Sequence, residues 1–213
     1  MLKQGFIDRF LLMTEPHDIP VIIVFNKSDL YGANEIEVFA VLEDIYRSIG
    51  YDVMLTSAIH NDQIDELRAK LMNKTTLIGG QSGVGKSSLL NVLHDGLALK
   101  TNDVSDYTGK GQHTTTFAEM LHIDDQTAII DTPGIKTLSL NNLEIEDVAH
   151  NFREFFIASD RCKFGNCTHR NEPHCAVKDA IENNDISILR YQNYLAIIGE
   201  IEAQNYWERN TNY

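Results

Sequence analysis

The sequence predicts a doubly wound α/β domain built on a mainly parallel sheet, followed by a smaller helical domain. Three observations carry this reading. Apolar runs alternate with helical periodicity up to residue 130, a glycine-rich loop separates a strand from a helix, and all three cysteines fall late, within fourteen residues.

The elements follow in chain order. Asp18-Ile19-Pro20 leads into Val21-Ile22-Ile23-Val24-Phe25, a continuous apolar run typical of a buried parallel strand. Residues 35–48 set Ile36, Phe39, Val41, Leu42 and Ile45 near helical spacing, and residues 51–55 form a second short strand. Residues 61–72 are expected to be helical. The strand Thr75-Thr76-Leu77-Ile78 then runs into the glycine loop and a helix over 86–93. Residues 117–123 and 126–130 can pair as a hairpin around Asp124-Asp125. Beyond about residue 138 strand-like runs stop, and residues 176–206 are expected to be helical. The expected division is 1–137 for the α/β domain and 138–213 for the helical one.

The composition, 43% hydrophobic and 23% charged, is that of an ordinary globular protein. No stretch approaches the roughly 20 apolar residues that span a bilayer, and the N-terminus lacks a signal layout, so a cytoplasmic protein with no membrane partner is expected. The net charge is -13. Residues 151–213 hold 7 of the 18 basic and 9 of the 31 acidic residues, leaving 11 and 22 for the front part. Such an acidic surface argues against general nucleic-acid binding; RNA contact would need a local basic patch.

Gly80-Gln81-Ser82-Gly83-Val84-Gly85-Lys86-Ser87 fits the phosphate-binding pattern G-x-x-x-x-G-K-[ST] and follows a strand. The glycines let backbone N–H groups turn toward a polyphosphate, and the next helix adds its positive end. Lys86 would reach the β- and γ-phosphates, and Ser87 would place its hydroxyl on Mg²⁺. The bland alternative is a turn that binds nothing.

Asn26-Lys27-Ser28-Asp29 ends the first strand, where open α/β sheets bind ligands. The Asp29 carboxylate can accept two hydrogen bonds from guanine, which adenine cannot offer. Asn26 would brace the neighbouring loop, and the Lys27 stem would lie along the base. Alone, N-K-x-D is a weak pattern. Thr56-Ser57-Ala58 ends the next strand and could offer the Ala58 N–H to guanine O6; the two motifs together define a guanine site.

Asp131-Thr132-Pro133-Gly134 follows the strand Ala128-Ile129-Ile130. Asp131 would hold Mg²⁺ through water, and the Gly134 N–H would sense the γ-phosphate. Gly109 to Thr116 is a polar stretch suited to a switch loop, with Thr115 the favoured metal ligand. Many GTP hydrolases orient water with a glutamine after the D-x-x-G turn, but Ile135 stands there. Gln112 and His113 are the nearest substitutes; His113 is taken to position the water, against the alternative of a solvated histidine.

Cys162-x4-Cys167-x-His169-x5-Cys175 supplies three thiolates and an imidazole, a full shell for one structural Zn²⁺. His174 competes but adjoins Cys175 and would strain the chelate. Buried free cysteines are the alternative.

The guanine motifs precede the phosphate loop, the reverse of the Ras-like order. With the cysteine tail, this order resembles the RsgA (YjeQ/EngC) family, circularly permuted GTPases that assist small ribosomal subunit maturation. The matching stretches are 80–88, which adds Ser88 to the phosphate loop, 111–116 and 167–175. The resemblance implies a circularly permuted, Ras-like P-loop domain and a zinc-containing helical domain. It also implies GTP hydrolysis to GDP and the small subunit with its rRNA as partner; a monomer is expected.

One departure stands out. The family's N-terminal OB-fold is absent, and Met1 falls inside the G domain. The strand that would lie between the P-loop strand and the N-K-x-D strand is therefore missing, leaving ladder groups unpaired on both neighbours. A truncated product or mis-set start of a longer protein is the expectation. Two other readings stand beside hydrolysis: a nucleotide-binding but catalytically silent module, and a zinc-dependent RNA-binding protein with a vestigial G domain.

Overall fold

The computed structural model describes residues 4–94, 118–132 and 143–210, with side chains to 203. The described helices are α1 (Gln4–Thr14), α2 (Ala33–Ser48), α3 (Ile64–Leu71), α4 (Lys86–Leu93), α5 (Ile145–His150), α6 (Arg153–Ser159), α7 (Ala176–Glu182) and α8 (Ile188–Asn210). The strands are β1 (Ile22–Phe25), β2 (Asp52–Leu55), β3 (Thr75–Ile78), β4 (Glu119–His122) and β5 (Ala128–Asp131). They belong to two compact units: one takes Ile22–Ala40 and Val53–Thr137, the other Met1–Val21, Val41–Asp52 and Leu138–Tyr213.

In the first unit the strands form two sheets among the described residues, β1-β2 and β3-β5-β4. β3 and β5 run parallel with Ile78 opposite Asp131, and β4 and β5 pair antiparallel as the anticipated hairpin. The division falls between the sheet that holds β1, which ends at Phe25, and the sheet whose β3 enters the glycine loop. One core nonetheless serves both sheets. Met54 of β2 and Ile129 of β5 pack with Ile64, Leu67 and Leu71 of α3 and Leu89, Leu90 and Leu93 of α4. The apolar spacing of α3 and α4 builds this face, and burying each large side chain contributes roughly 1.5–3 kcal/mol.

The cysteine-bearing unit is helical among its described elements. Leu12, Val148, Phe152, Phe155, Val177, Tyr194, Ile197 and Ile198 form its centre, each at most 1% exposed. α5 opens with a reciprocal capping box between Glu144 and Asp147. A buried polar cluster ties four segments together. Arg190 grips both Glu154 carboxylate oxygens through Nε and Nη2, at 2.7 and 3.1 Å. Its Nη1 pairs with Asp8, which also accepts bonds from Tyr46 and Asn193, both at 2.6 Å. Burial alone would favour neutral Arg190, but Asp8 and Glu154 reverse that and raise its pKa.

The continuous helix expected over 176–206 is corrected: it breaks between α7 and α8. Asn184 takes a left-handed φ of 61°, and the Asp185 N–H turns back to the Ala180 carbonyl at 2.8 Å. Asn-Asn-Asp supplies turn chemistry that ends a helix. The α5 and α6 helices were not foreseen; they carry only 6 and 7 residues, too few for a clear period.

Candidate functional site

The loop after β3 is shaped by backbone geometry. Gly83 and Gly85 hold φ of 81° and 93°, a region closed to most side chains, and Gly85 leads directly into α4. Lys86 folds back to donate from Nζ to the carbonyls of Gly80 and Gln81, at 2.9 and 3.1 Å. Burial lowers its pKa, opposed by the Asp131 carboxylate. Ser82, Gly83 and Val84 are exposed, while Gln81, Ser87 and Ser88 are half-buried.

The N-K-S-D turn meets this loop through Asn26. Its Nδ2 donates to the Val84 carbonyl at 3.2 Å and approaches that of Gly85 at 3.5 Å. A Cβ at Gly85 would lie 2.4 Å from that nitrogen, so only glycine leaves room. The Asn26 Oδ1 accepts from Thr56 Oγ1 at 3.2 Å and from the Ala58 N–H at 3.3 Å. One amide thus joins all three motifs, and the Ala58 N–H expected to meet a guanine oxygen is engaged by Asn26 here. Lys27 adopts a left-handed φ of 68°, which turns the chain so that Asp29 faces Ser57. Ser57, fully buried, donates to Asp29 Oδ1 at 2.6 Å.

Asp131 ends β5, 3% exposed and opposite Ile78 in register. Thr132 adds a bond that sequence reasoning missed: its hydroxyl donates to the Ile78 carbonyl at 2.7 Å, fastening the end of β5 to the end of β3. Nothing in the sequence singles out the Thr56 bond to Asn26. His113, Thr115 and Gly134 lie outside the described residues.

In the other unit Cys162, Cys167, His169 and Cys175 offer four ligand atoms within 4.8 Å of one another. His169 Nδ1 stands 3.4 Å from Cys175 Sγ and 3.8 Å from Cys162 Sγ. The edges of a tetrahedron with metal–ligand bonds of about 2.0–2.3 Å are near those lengths, so the group fits one metal ion with every position filled by protein. Burial pushes the Cys167 thiol up to about 12, raises Cys175 and lowers His169, the last opposed by Glu172. The neutral forms are thereby favoured until a cation displaces the protons. His174 is exposed and outside the cluster.

The ligand loop is held by groups no motif had flagged. Glu172 Oε1 accepts from the Thr168 N–H and hydroxyl at 2.8 and 2.7 Å; Oε2 accepts from the Arg170 and Asn171 N–H at 2.9 and 3.0 Å. Tyr191 and Tyr194 donate to the carbonyls of His169 and Thr168, each at 2.7 Å. A carboxylate three residues from two ligands was the available signal, since such partners orient a metal shell.

A phosphate loop joined to a guanine motif that precedes it in the chain, with a Cys₃His cluster beyond, defines a circularly permuted P-loop protein of the GTP-binding class. The RsgA GTPase family model matches residues 1–141, and the chain belongs to that family. It is 46% identical over 201 residues to the small ribosomal subunit biogenesis GTPase RsgA of Phocaeicola vulgatus, covering 94% of this chain and 65% of that protein. The protein of the same name from Bacteroides fragilis is 45% identical with the same coverage. The chain therefore spans about 65% of the length of the curated relatives it matches. Among solved structures, YjeQ from Thermotoga maritima superposes with a TM-score of 0.79 at 37% identity, covering 94% of this chain and 66% of that one. YloQ, described as a circularly permuted GTPase, gives 0.75 at 33% identity, covering all of this chain and 66% of its own. Among the described residues no helix is long and apolar enough to cross a membrane.

Proposed function

We propose that the chain binds GTP with Mg²⁺ and hydrolyses it to GDP and phosphate, and that it does so as a cytoplasmic, monomeric factor in maturation of the small ribosomal subunit. The observation that carries this is the Asn26 amide, which brings the base-reading turn to the phosphate loop despite their reversed order in the chain. Names of the relatives supply the subunit.

In this reading Asp29, oriented by Ser57, accepts from the guanine edge. The N–H groups of Gly80 to Ser88 cradle the phosphates, and Lys86 turns from its carbonyls to the β- and γ-phosphates. Ser87, Thr115 and Asp131 would hold Mg²⁺, which offsets charge on the phosphates when bound. His113 positions the attacking water, and Gly134 senses the γ-phosphate. The Cys₃His group holds one structural Zn²⁺, and residues 138–213 act as the zinc domain that follows in sequence a G domain over 1–137.

A catalytically silent nucleotide-binding module is the second reading, favoured by the division of the strands into two sheets. GTP hydrolysis by the purified chain, with and without small subunits and with ATP and Lys86→Ala as controls, tests both. Turnover confined to GTP, absent in the variant and raised by subunits, supports the first; GTP binding without turnover supports the second.

A further inference from the structure

Between the first two ligands of the cysteine cluster the chain forms an exposed knuckle. Arg161, Lys163, Phe164, Gly165 and Asn166 all lie at the surface. From Arg161 to Asn171 there are three cations and no acid, in a chain where 31 acidic residues outnumber 18 basic ones. Arg170 is paired with Glu202 at 2.6 Å, which leaves Arg161 and Lys163 as the knuckle's outward cations, with Asp160 as the adjoining acid.

Phe164 is the unusual member. It is 40% exposed and takes no part in the apolar centre of its unit. Lys163 Nζ lies 5.4 Å from its ring centroid, and nothing stands within 4 Å of where a Cβ on Gly165 would be. The backbone beneath is fixed. Cys162 N–H donates to Ser159 at 2.9 Å, Lys163 N–H to His174 at 3.3 Å, and Cys167 N–H to Phe164 at 3.2 Å, each to a carbonyl. A part-exposed aromatic ring on a hydrogen-bonded loop, next to a glycine that adds no side chain and with two cations within three residues, has the parts of a base-stacking platform.

We propose that this knuckle receives one unpaired RNA base, stacked on Phe164, while Lys163 and Arg161 meet the flanking phosphates. The proposal rests on the small-subunit reading above and names where on this chain the RNA sits. An unpaired base fits because a duplex hides the base faces that a single ring needs. The acidic remainder of the chain restricts the contact to a short stretch, since it repels a long phosphate backbone.

The zinc-loaded full chain, with a non-hydrolysable GTP analogue, is titrated with a labelled single-stranded RNA decamer, with the same sequence as a duplex, and with small subunits. Phe164→Ala is expected to weaken decamer and subunit binding on the order of tenfold, and Phe164→Trp to retain it. Replacing Arg161 and Lys163 by alanine should lower the salt slope of decamer binding by about 1.4, at roughly 0.7 per phosphate contact. One zinc ion bound per chain, with GTP binding without RNA, reports that both units of the variants are folded. Equal binding by Phe164→Ala, equal affinity for the duplex, or no binding of decamer and subunits by the parent chain would overturn the proposal. If the decamer binds through Phe164 while subunits do not bind, the knuckle stands and the subunit reading falls. If subunits bind parent and Phe164→Ala alike, the reverse holds.

Discussion

The Ser57 hydroxyl donates a 2.6 Å hydrogen bond to Oδ1 of Asp29, from a side chain with no solvent exposure. Ser57 also accepts the His60 N–H at 3.2 Å, so the hydroxyl is fixed from both sides. A carboxylate held this way keeps its oxygens aimed before a base arrives. Ser57→Ala is expected to weaken GTP binding by about tenfold, the scale of one hydrogen bond to a charged group, and to leave ATP binding weak and unchanged. Competition titrations with both nucleotides measure this.

Gly85→Ala places a methyl 2.4 Å from Asn26 Nδ2 at a φ of 93°. Strain of about 1–3 kcal/mol and loss of the Asn26 bridge should follow together. The expected outcome is a lower melting temperature and at least a tenfold loss of GTP affinity. Gly83→Ala, with open space around it but φ of 81°, should cost stability with less effect on Asn26. Calorimetry on the two variants separates strain from collision.

His113→Ala should preserve GTP affinity and lower turnover at least tenfold, because a group that only orients water acts on the chemical step. Single-turnover hydrolysis beside equilibrium binding checks this; unchanged turnover removes His113 from the mechanism.

Glu172 couples the cysteine loop to acid. Burial alone would raise its pKa, but bonds from Thr168 and Arg170 hold it at about 2 against an ordinary 4.5. A carboxyl depressed by folding contributes stability that is fully present above its unfolded value and lost as pH falls through the folded one. The chain should therefore lose this contribution between about 4.5 and about 2. Glu172→Gln should flatten that part of the profile and weaken zinc binding by roughly 10–100-fold. Urea midpoints across pH for the metal-free proteins, and chelator competition near neutrality, read the two effects separately.

Arg190→Met leaves Asp8 and Glu154 buried without their cation. Removing one partner of such a group costs about 3–5 kcal/mol. Urea denaturation should show that loss, with nucleotide affinity per folded molecule unchanged.

The motifs were legible because their chemistry is local: a strand, a fixed spacing and a helix suffice to place Lys86, Asp29 or Asp131. The strands at 75–78 and the helix at 86–93 were read to the residue for the same reason. The polar cluster around Arg190 was not legible. Its partners sit 182 and 36 residues away, and no spacing rule joins Asp8 to Arg190. Thr132 escaped notice because a hydroxyl in a turn looks like any other until its acceptor, the Ile78 carbonyl, is known. The break at Asn183-Asn184-Asp185 was written in the sequence as turn chemistry and was outweighed by the helical periodicity on either side.

The span between Asp8 and Arg190 has a consequence in time. At translation speeds of 5–20 residues per second, roughly 10–40 s separate synthesis of the first residue from synthesis of the second. Through that interval α1 has its carboxylate but not its guanidinium, and no finished site in which to bury it. The unit of Ile22–Ala40 and Val53–Thr137 has all its residues once position 137 is made. Each nascent chain thus completes its nucleotide motifs first and closes its cysteine-bearing body only when α8 has been made.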